Sequence, residues 1–249
     1  MRNIALVLVI CTEFFSCTMP KQTTNTPSPR LPAKFDYSPP SRVEAGSSAL
    51  TVALISPVYI TKKPEYIVAP FPEMSTSMNN DFEELLTAKG FKIRGPFRSR
   101  DEMVYSDKIN SDFAFLVEID LQPTWNRTFD QTLGLGGLIS TTHTYQYKTK
   151  GEVTFGGNLV ITATSAQYGE KIWKKNIALD KASFTYTGSV KWNNIPSVAD
   201  ELKQDNVFYN LVARELEKFY TQAMGLAWQQ IEVEEMKTVA AQAKLADKR

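Results

Sequence analysis

At 249 residues, with Lys plus Arg at 28, Asp plus Glu at 27 and a formal net charge of +1, the chain lacks the basic excess of a duplex-binding domain, so nucleic acid is not an expected partner. Its apolar and charged fractions suit a globular protein of one core. The two cysteines, Cys11 and Cys17, both lie near the N-terminus, which leaves the rest of the chain without disulfide or thiol chemistry.

Arg2 supplies a positive start, and residues 4–11 form an apolar run too short to span a bilayer but suited to the core of a signal peptide. Phe14-Phe15-Ser16-Cys17 follows. A bulky residue three places before a cysteine, with a small one just before it, resembles the lipobox of bacterial lipoproteins. Cys11 follows the larger Ile10 and fits less well. Residues 1–17 are therefore read as a lipoprotein signal peptide, with an ordinary secretory signal as the alternative. Cleavage before Cys17 would expose its thiol to a diacylglyceryl group and its new amine to a third chain such as palmitate, and several chains anchor stably where one does not. Thr18 in place of Asp permits the outer membrane, by analogy with known sorting signals.

Residues 18–48 hold Pro20, Pro27, Pro29, Pro32, Pro39 and Pro40 among Ser, Thr and Asn. Without apolar periodicity they are expected to be a disordered, extended tether. A single domain is expected over residues 49–235. Leu50-Thr51-Val52-Ala53-Leu54-Ile55 reads as a strand buried on both faces. Residues 58–74 read as a loop, broken by Pro64, Pro70 and Pro72. A helix capped within Ser75–Ser77 places Met78, Phe82, Leu85 and Leu86 on one face and ends at Gly90. Phe91 and Ile93 then alternate with Lys92 and Arg94 as a short strand. Residues 98–110 suit a short polar helix capped by Ser99. Residues 113–121 form a central strand that Pro123 ends.

Residues 123–139 are the least regular, with Trp125, Arg127, Phe129 and the run Leu133-Gly134-Leu135-Gly136-Gly137-Leu138. No helix follows the glycines, so they are not a dinucleotide fingerprint. They read as a flexible loop, or as a contact loop for a partner or membrane. Three or four antiparallel strands come next, over residues 141–148, 151–166, 169–179 and 184–192, with Tyr168-Gly169-Glu170 as a hairpin turn. A long helix starts after Pro196 with Ser197 as cap, and carries an apolar stripe from Val207 to Ile231. The charged, alanine-rich tail over residues 236–249 favours helix but has little to bury and is expected to project or fray. The whole reads as an α+β fold, a mixed α/β sandwich that starts strand–helix–strand and closes on antiparallel strands and the long helix. Its expected core centres on Leu54, Leu85, Phe115, Val117, Ile161, Phe219 and Trp228.

No nucleophile elbow, Ser–His–Asp set, phosphate loop or paired carboxylates among apolar neighbours is present. The single histidine, His143, lies in a polar strand with no second ligand for a transition metal. The sequence gives no ground for an enzyme, a cofactor or a metal.

Leu54-Ile55-Ser56-Pro57, the helix end Leu85-Leu86-Thr87-Ala88-Lys89-Gly90-Phe91-Lys92-Ile93, and Leu121-Gln122-Pro123 with Asn126-Arg127-Thr128 just beyond together resemble the neuraminyllactose-binding haemagglutinin family of bacterial outer-membrane lipoproteins, also described as adhesins. The resemblance covers residues 49–130. It implies a sialic-acid contact in the run after the central strand, where Arg127 and Thr128 match and Asn126 and Asp130 depart from the basic pattern. Trp125 and Phe129 bracket that run and would stack on a sugar, while Arg127 would supply the charge-assisted bond. The expected function is a non-enzymatic binding lipoprotein of the outer membrane, an adhesin for host glycan or protein. The alternative is a structural periplasmic lipoprotein that docks on other envelope proteins.

Overall fold

The computed structural model describes residues 28–133 and 145–248. Cys11, Cys17, His143 and the glycine run 134–138 lie outside them. The element order is β1 (Thr51–Tyr59), α1 (Phe71–Ala88), β2 (Lys92–Phe97), α2 (Tyr105–Ile109), β3 (Phe113–Leu121), β4 (Thr124–Leu133), β5 (Tyr145–Thr164), β6 (Lys171–Trp192), α3 (Val198–Gln204), α4 (Asn206–Gln230) and α5 (Val233–Ala246). This is the expected α+β class. The strands form one six-stranded sheet. β1 lies parallel between β2 and β3, and β3, β4 and β6 all run antiparallel to β5. Flanked on both edges, β1 buries Val52, Ala53, Leu54 and Ile55, as its unbroken apolar run requires.

Helices α1, α4 and α5 cover one face and enclose the main core. Of the seven residues expected at its centre, Leu54, Leu85, Phe115, Val117, Ile161 and Phe219 are buried. Trp228 is only half-buried, with the Lys89 ammonium 4.1 Å above its ring. The other face carries a smaller cluster of Ala53, Ile55, Met103, Ala114 and Ala166. Met103 comes from the polar segment 98–110, which folds as a 3-10 turn and the short α2 rather than one helix. Ser99 flanks that turn without a side-chain cap bond.

Several boundaries differ from expectation. Helix α1 starts at Phe71, not after Ser75, with a proline in its first turn. A first-turn amide has no partner within the helix, so proline is tolerated there. The early start brings Phe71 and Met74 into the buried stripe. In place of the three or four short strands expected between 141 and 192, the described residues from Tyr145 on form two long ones. β5 and β6 pair from Tyr145↔Trp192 to Thr164↔Lys171, with a register shift between Phe155 and Gly157. Gly157 has φ 148, and a Cβ there would overlap the Asp120 carbonyl oxygen. The glycine lets the pair bend without breaking. The single long helix is also interrupted. Asp205 ends α3 and caps α4, its carboxylate accepting from the amides of Val207 and Phe208.

Both ends of the described chain dock where a spacer and a frayed tail were expected. Residues 28–37 lie along α4 as a strap. Asn206 and Asn210 donate to the carbonyls of Ser28 and Pro29 at 2.9 Å each. The amides of Leu31 and Lys34 donate to Asn210 (2.9 Å) and Glu217 (2.6 Å). The Arg30 guanidinium stacks 3.7 Å over the Tyr209 ring, and Phe35 is buried against Tyr220 with ring centroids 5.5 Å apart. Residues 236–246 form the body of α5. Met236, Val239, Ala240 and Ala243 are buried, Trp173 donates to Glu235 at 2.8 Å and Lys244 pairs with Asp112 at 2.7 Å.

Candidate functional site

β4 with residues 145–155 of β5 and 182–192 of β6 makes a three-stranded arm. Of residues 123–139, read as irregular, Thr124–Leu133 form the regular strand β4: Pro123 separates β3 from β4, but both pair with the same strand, β5. Strand alternation then sorts every side chain to one of two faces.

The inward face meets α3, α4 and the 3-10 turn at Pro64–Ile67. Cross-strand rows on this face are Trp125–Val153–Phe184, Arg127–Gly151–Tyr186, Phe129–Thr149–Gly188 and Gln131–Tyr147–Val190. Trp125 is half-buried, edge-on to Phe155 (5.7 Å) and Phe208 (5.9 Å), and its indole N–H donates to Glu65 at 3.0 Å. Arg127 enters an internal cluster. Its Nη1 donates to Glu201 Oε2 at 2.9 Å, Tyr186 Oη donates to the same oxygen at 3.0 Å, and Thr149 Oγ1 donates to Oε1 at 2.6 Å. Glu201 is 1% exposed and the Arg127 side chain 16%. A buried carboxylate needs a countercharge and filled lone pairs, and this one has both. Burial pushes the Tyr186 phenol well above its ordinary value, aided by the Glu201 carboxylate, so Tyr186 stays a donor. Gly151 between Arg127 and Tyr186 makes the convergence possible: a Cβ there would lie 2.9 Å from the Tyr186 ring and 3.2 Å from Arg127 Cγ.

Phe129 is half-buried, edge-on to Tyr147 at 6.4 Å, with the Arg127 guanidinium 5.2 Å from its ring. Of the four residues expected to bind ligand, Trp125, Arg127 and Phe129 thus turn inward and are engaged by the protein itself. Thr128 alone faces outward, its hydroxyl donating to the Lys150 carbonyl at 3.3 Å. The structure does not assemble the quartet as one exposed surface.

The outward face is polar. Its rows include Thr128–Lys150–Thr187 and Asp130–Lys148–Ser189, all exposed. Among the described residues neither Lys148 nor Lys150 has an ion-pair partner. Of the residues in these two rows, all but Thr128 line an open groove of about 840 Å³, completed by Thr149, Gly188, Gln204, Asp205, Asn206, Val207 and Ser28. Asp205 fixes its far wall by accepting from the Ser189 amide at 3.0 Å while it caps α4. A Cβ at Gly188 would overlap that carboxylate. Sequence reasoning did not single out Lys148, Lys150 or the Glu201 cluster. The alternation Tyr147-Lys148-Thr149-Lys150 placed the lysines on one face, but only β5 pairing on both edges shows which face is open.

Two ammonium groups and several hydroxyls on an open face can hold an anionic or polyhydroxylated group. Among the described residues no three His, Cys, Asp or Glu side chains converge as a metal site requires. The buried carboxylates Glu65, Asp81 and Glu201 each accept hydrogen bonds from within the protein, and among the described residues no helix is long and apolar enough to cross a membrane.

No protein-family model and no curated protein matches the sequence. Among solved structures, a neuraminyllactose-binding hemagglutinin homolog from Helicobacter pylori aligns with a TM-score of 0.58 at 14% identity, over 88% of this chain and 100% of that one. A lipoprotein from Neisseria meningitidis aligns over 68% of this chain and 96% of that one at 10% identity. PelC from Paraburkholderia phytofirmans, a dodecamer, aligns over 75% and 95% at 14% identity. Their TM-scores of 0.23 and 0.25 are too low to carry an argument. In fold, this chain is similar to the neuraminyllactose-binding hemagglutinin homolog, the family its sequence motifs resemble.

Proposed function

We propose that this protein is a lipid-anchored, non-enzymatic binding protein of the bacterial outer membrane, held through acyl chains on Cys17, with the arm as its contact surface. The observation that carries this reading is the division of the arm. Its inward charges are satisfied internally, while Lys148, Lys150, Thr187 and Ser189 line the open groove and exposed Thr128 shares their face. Cys17→Ala should move the protein from the membrane fraction to the soluble one. A variant that still sediments with outer membrane after a salt wash would defeat the anchor. Lys148→Glu with Lys150→Glu should abolish binding of an acidic ligand without unfolding the protein, and unchanged binding would remove the arm from the site.

The fold likeness to a hemagglutinin homolog favours an adhesin for host glycan or protein as the finer reading. The competing reading is a periplasmic lipoprotein docked on other envelope proteins. Protease added to intact cells separates them: an adhesin is degraded and an inward-facing component is spared.

A further inference from the structure

The strap changes how far the domain can stand from its anchor. Residues 18–48 as a free tether would reach on the order of 100 Å. With 28–37 fixed to α4, only the residues between Cys17 and Ser28 remain, and they reach at most about 40 Å even fully extended. The strap also fixes which end is held near. Ser28 bonds to Asn206 at the first turn of α4, and it borders the groove with Lys148 and Lys150. The chain therefore enters the described domain at the groove end, which lies within about 40 Å of an anchor at Cys17.

That end has the chemistry of a surface contact. Lys148, Lys150 and Lys191 share the outward face of the arm. The carboxylates on that face are Asp130, across from Lys148, and Glu152, one row nearer the body. Asp205 in the groove wall is occupied by three backbone amides. Val207 (45% exposed) adds an apolar side chain to the groove, and Leu31 (58% exposed) lines the neighbouring depression that shares Ser28 and Val207 with it.

We propose that the groove end docks on the anionic headgroups of the same bilayer that holds the acyl chains, with Lys148 and Lys150 as the headgroup contacts. This rests on the lipid anchor proposed at Cys17. A lysine at an anionic surface contributes roughly fivefold in affinity, which is weak alone. A tether this short makes the contact intramolecular, so a weak contact is well populated.

The test uses the full acylated chain in vesicles of phosphatidylglycerol with phosphatidylethanolamine, and in vesicles of phosphatidylcholine alone. Lysine acylation rates are read by mass spectrometry, and the N-terminal lipopeptide in the same digest reports the anchor. Lys148 and Lys150 should label at least fivefold more slowly on the anionic vesicles, with exposed Lys174 on the far half of β6 unchanged. Lys191, on the same face, should be slowed with them in the parent and should lose that protection in Lys148→Glu/Lys150→Glu while the chain stays vesicle-bound. Absence of the lipopeptide would sink the anchor and the docking with it. Equal labelling on both vesicles, with the lipopeptide present, would overturn docking and leave the anchor standing. No protection on the anionic vesicles, with protection on phosphatidylcholine once sialyllactose is added, would make the groove a glycan site, and docking would fall.

Discussion

The two faces of the arm come from the same strands and differ by one residue in register. Arg127 and Thr128 are neighbours in sequence. Arg127 is 16% exposed and paired with Glu201, whereas Thr128 stands in the open row with Lys150 and Thr187. The inward face holds the arm to α3 and α4, and the outward face is free to meet something else. Residue type does not predict which role a side chain takes. An arginine beside two aromatics suits a sugar site chemically, but here the strand parity commits it to the fold.

The sharpest way to break this comparison is Arg127→Ala. Removing one partner of a buried pair leaves Glu201 uncompensated, which costs roughly 3 kcal/mol and lowers the melting temperature by about 6–12 °C. Thermal unfolding that matches the parent would place Arg127 at the surface after all. A second effect concerns the strap. Phe35→Ala removes about 2 kcal/mol of burial, so the undocked strap becomes roughly thirtyfold more populated. Trypsin should then cut after Arg30 and Lys34 correspondingly faster, and unchanged cleavage would mean that Phe35 does not hold the strap.

A smaller effect is a pH dependence at Asp81. Its carboxylate accepts from the Tyr37 amide at 2.7 Å and from the Tyr220 hydroxyl. Burial raises its pKa above the ordinary carboxylate value, more than those bonds lower it. The folded state therefore binds this proton more readily than the unfolded chain. The group's contribution to stability rises as pH falls through the raised value and is complete below the ordinary one. The parent should gain on Asp81→Asn between neutral pH and about pH 4, by denaturant midpoints at each pH. A constant difference between the two would show that Asp81 titrates normally. The smallest effect should come from the open face. Thr128→Ala or Lys150→Thr should shift stability by no more than about 0.5 kcal/mol. A larger loss would mean that the outward face is also structural.

Much of the fold was legible because its signals are local. The apolar run 50–55 marked a strand buried on both faces, the stripe Met78, Phe82, Leu85, Leu86 marked a helix, and Gly90 marked its end. Each rests on periodicity or backbone preference that neighbouring residues determine. The candidate site was less legible. Trp125, Arg127, Thr128 and Phe129 read as one exposed loop, because Pro123 and the glycines downstream hid an alternation whose partner strand starts at Tyr145; only Thr128 stands on the open face, and Lys148 and Lys150 beside it were not singled out.

By itself, the sequence determined the α+β class and most of the core. Tertiary structure alone decided the fate of three polar stretches. The proline-rich segment 28–37 docks because Asn206, Asn210 and Glu217 on a distant helix bond to its backbone, which requires no apolar periodicity from the segment. The alanine-rich tail buries Met236, Val239, Ala240 and Ala243 because the sheet offers an uncovered strip, and small residues suffice for a close helix. Arg127 became structural because Glu201, 74 positions away, is buried opposite it. A buried charge imposes a demand on whatever lies across the core, and composition and spacing do not record what lies across.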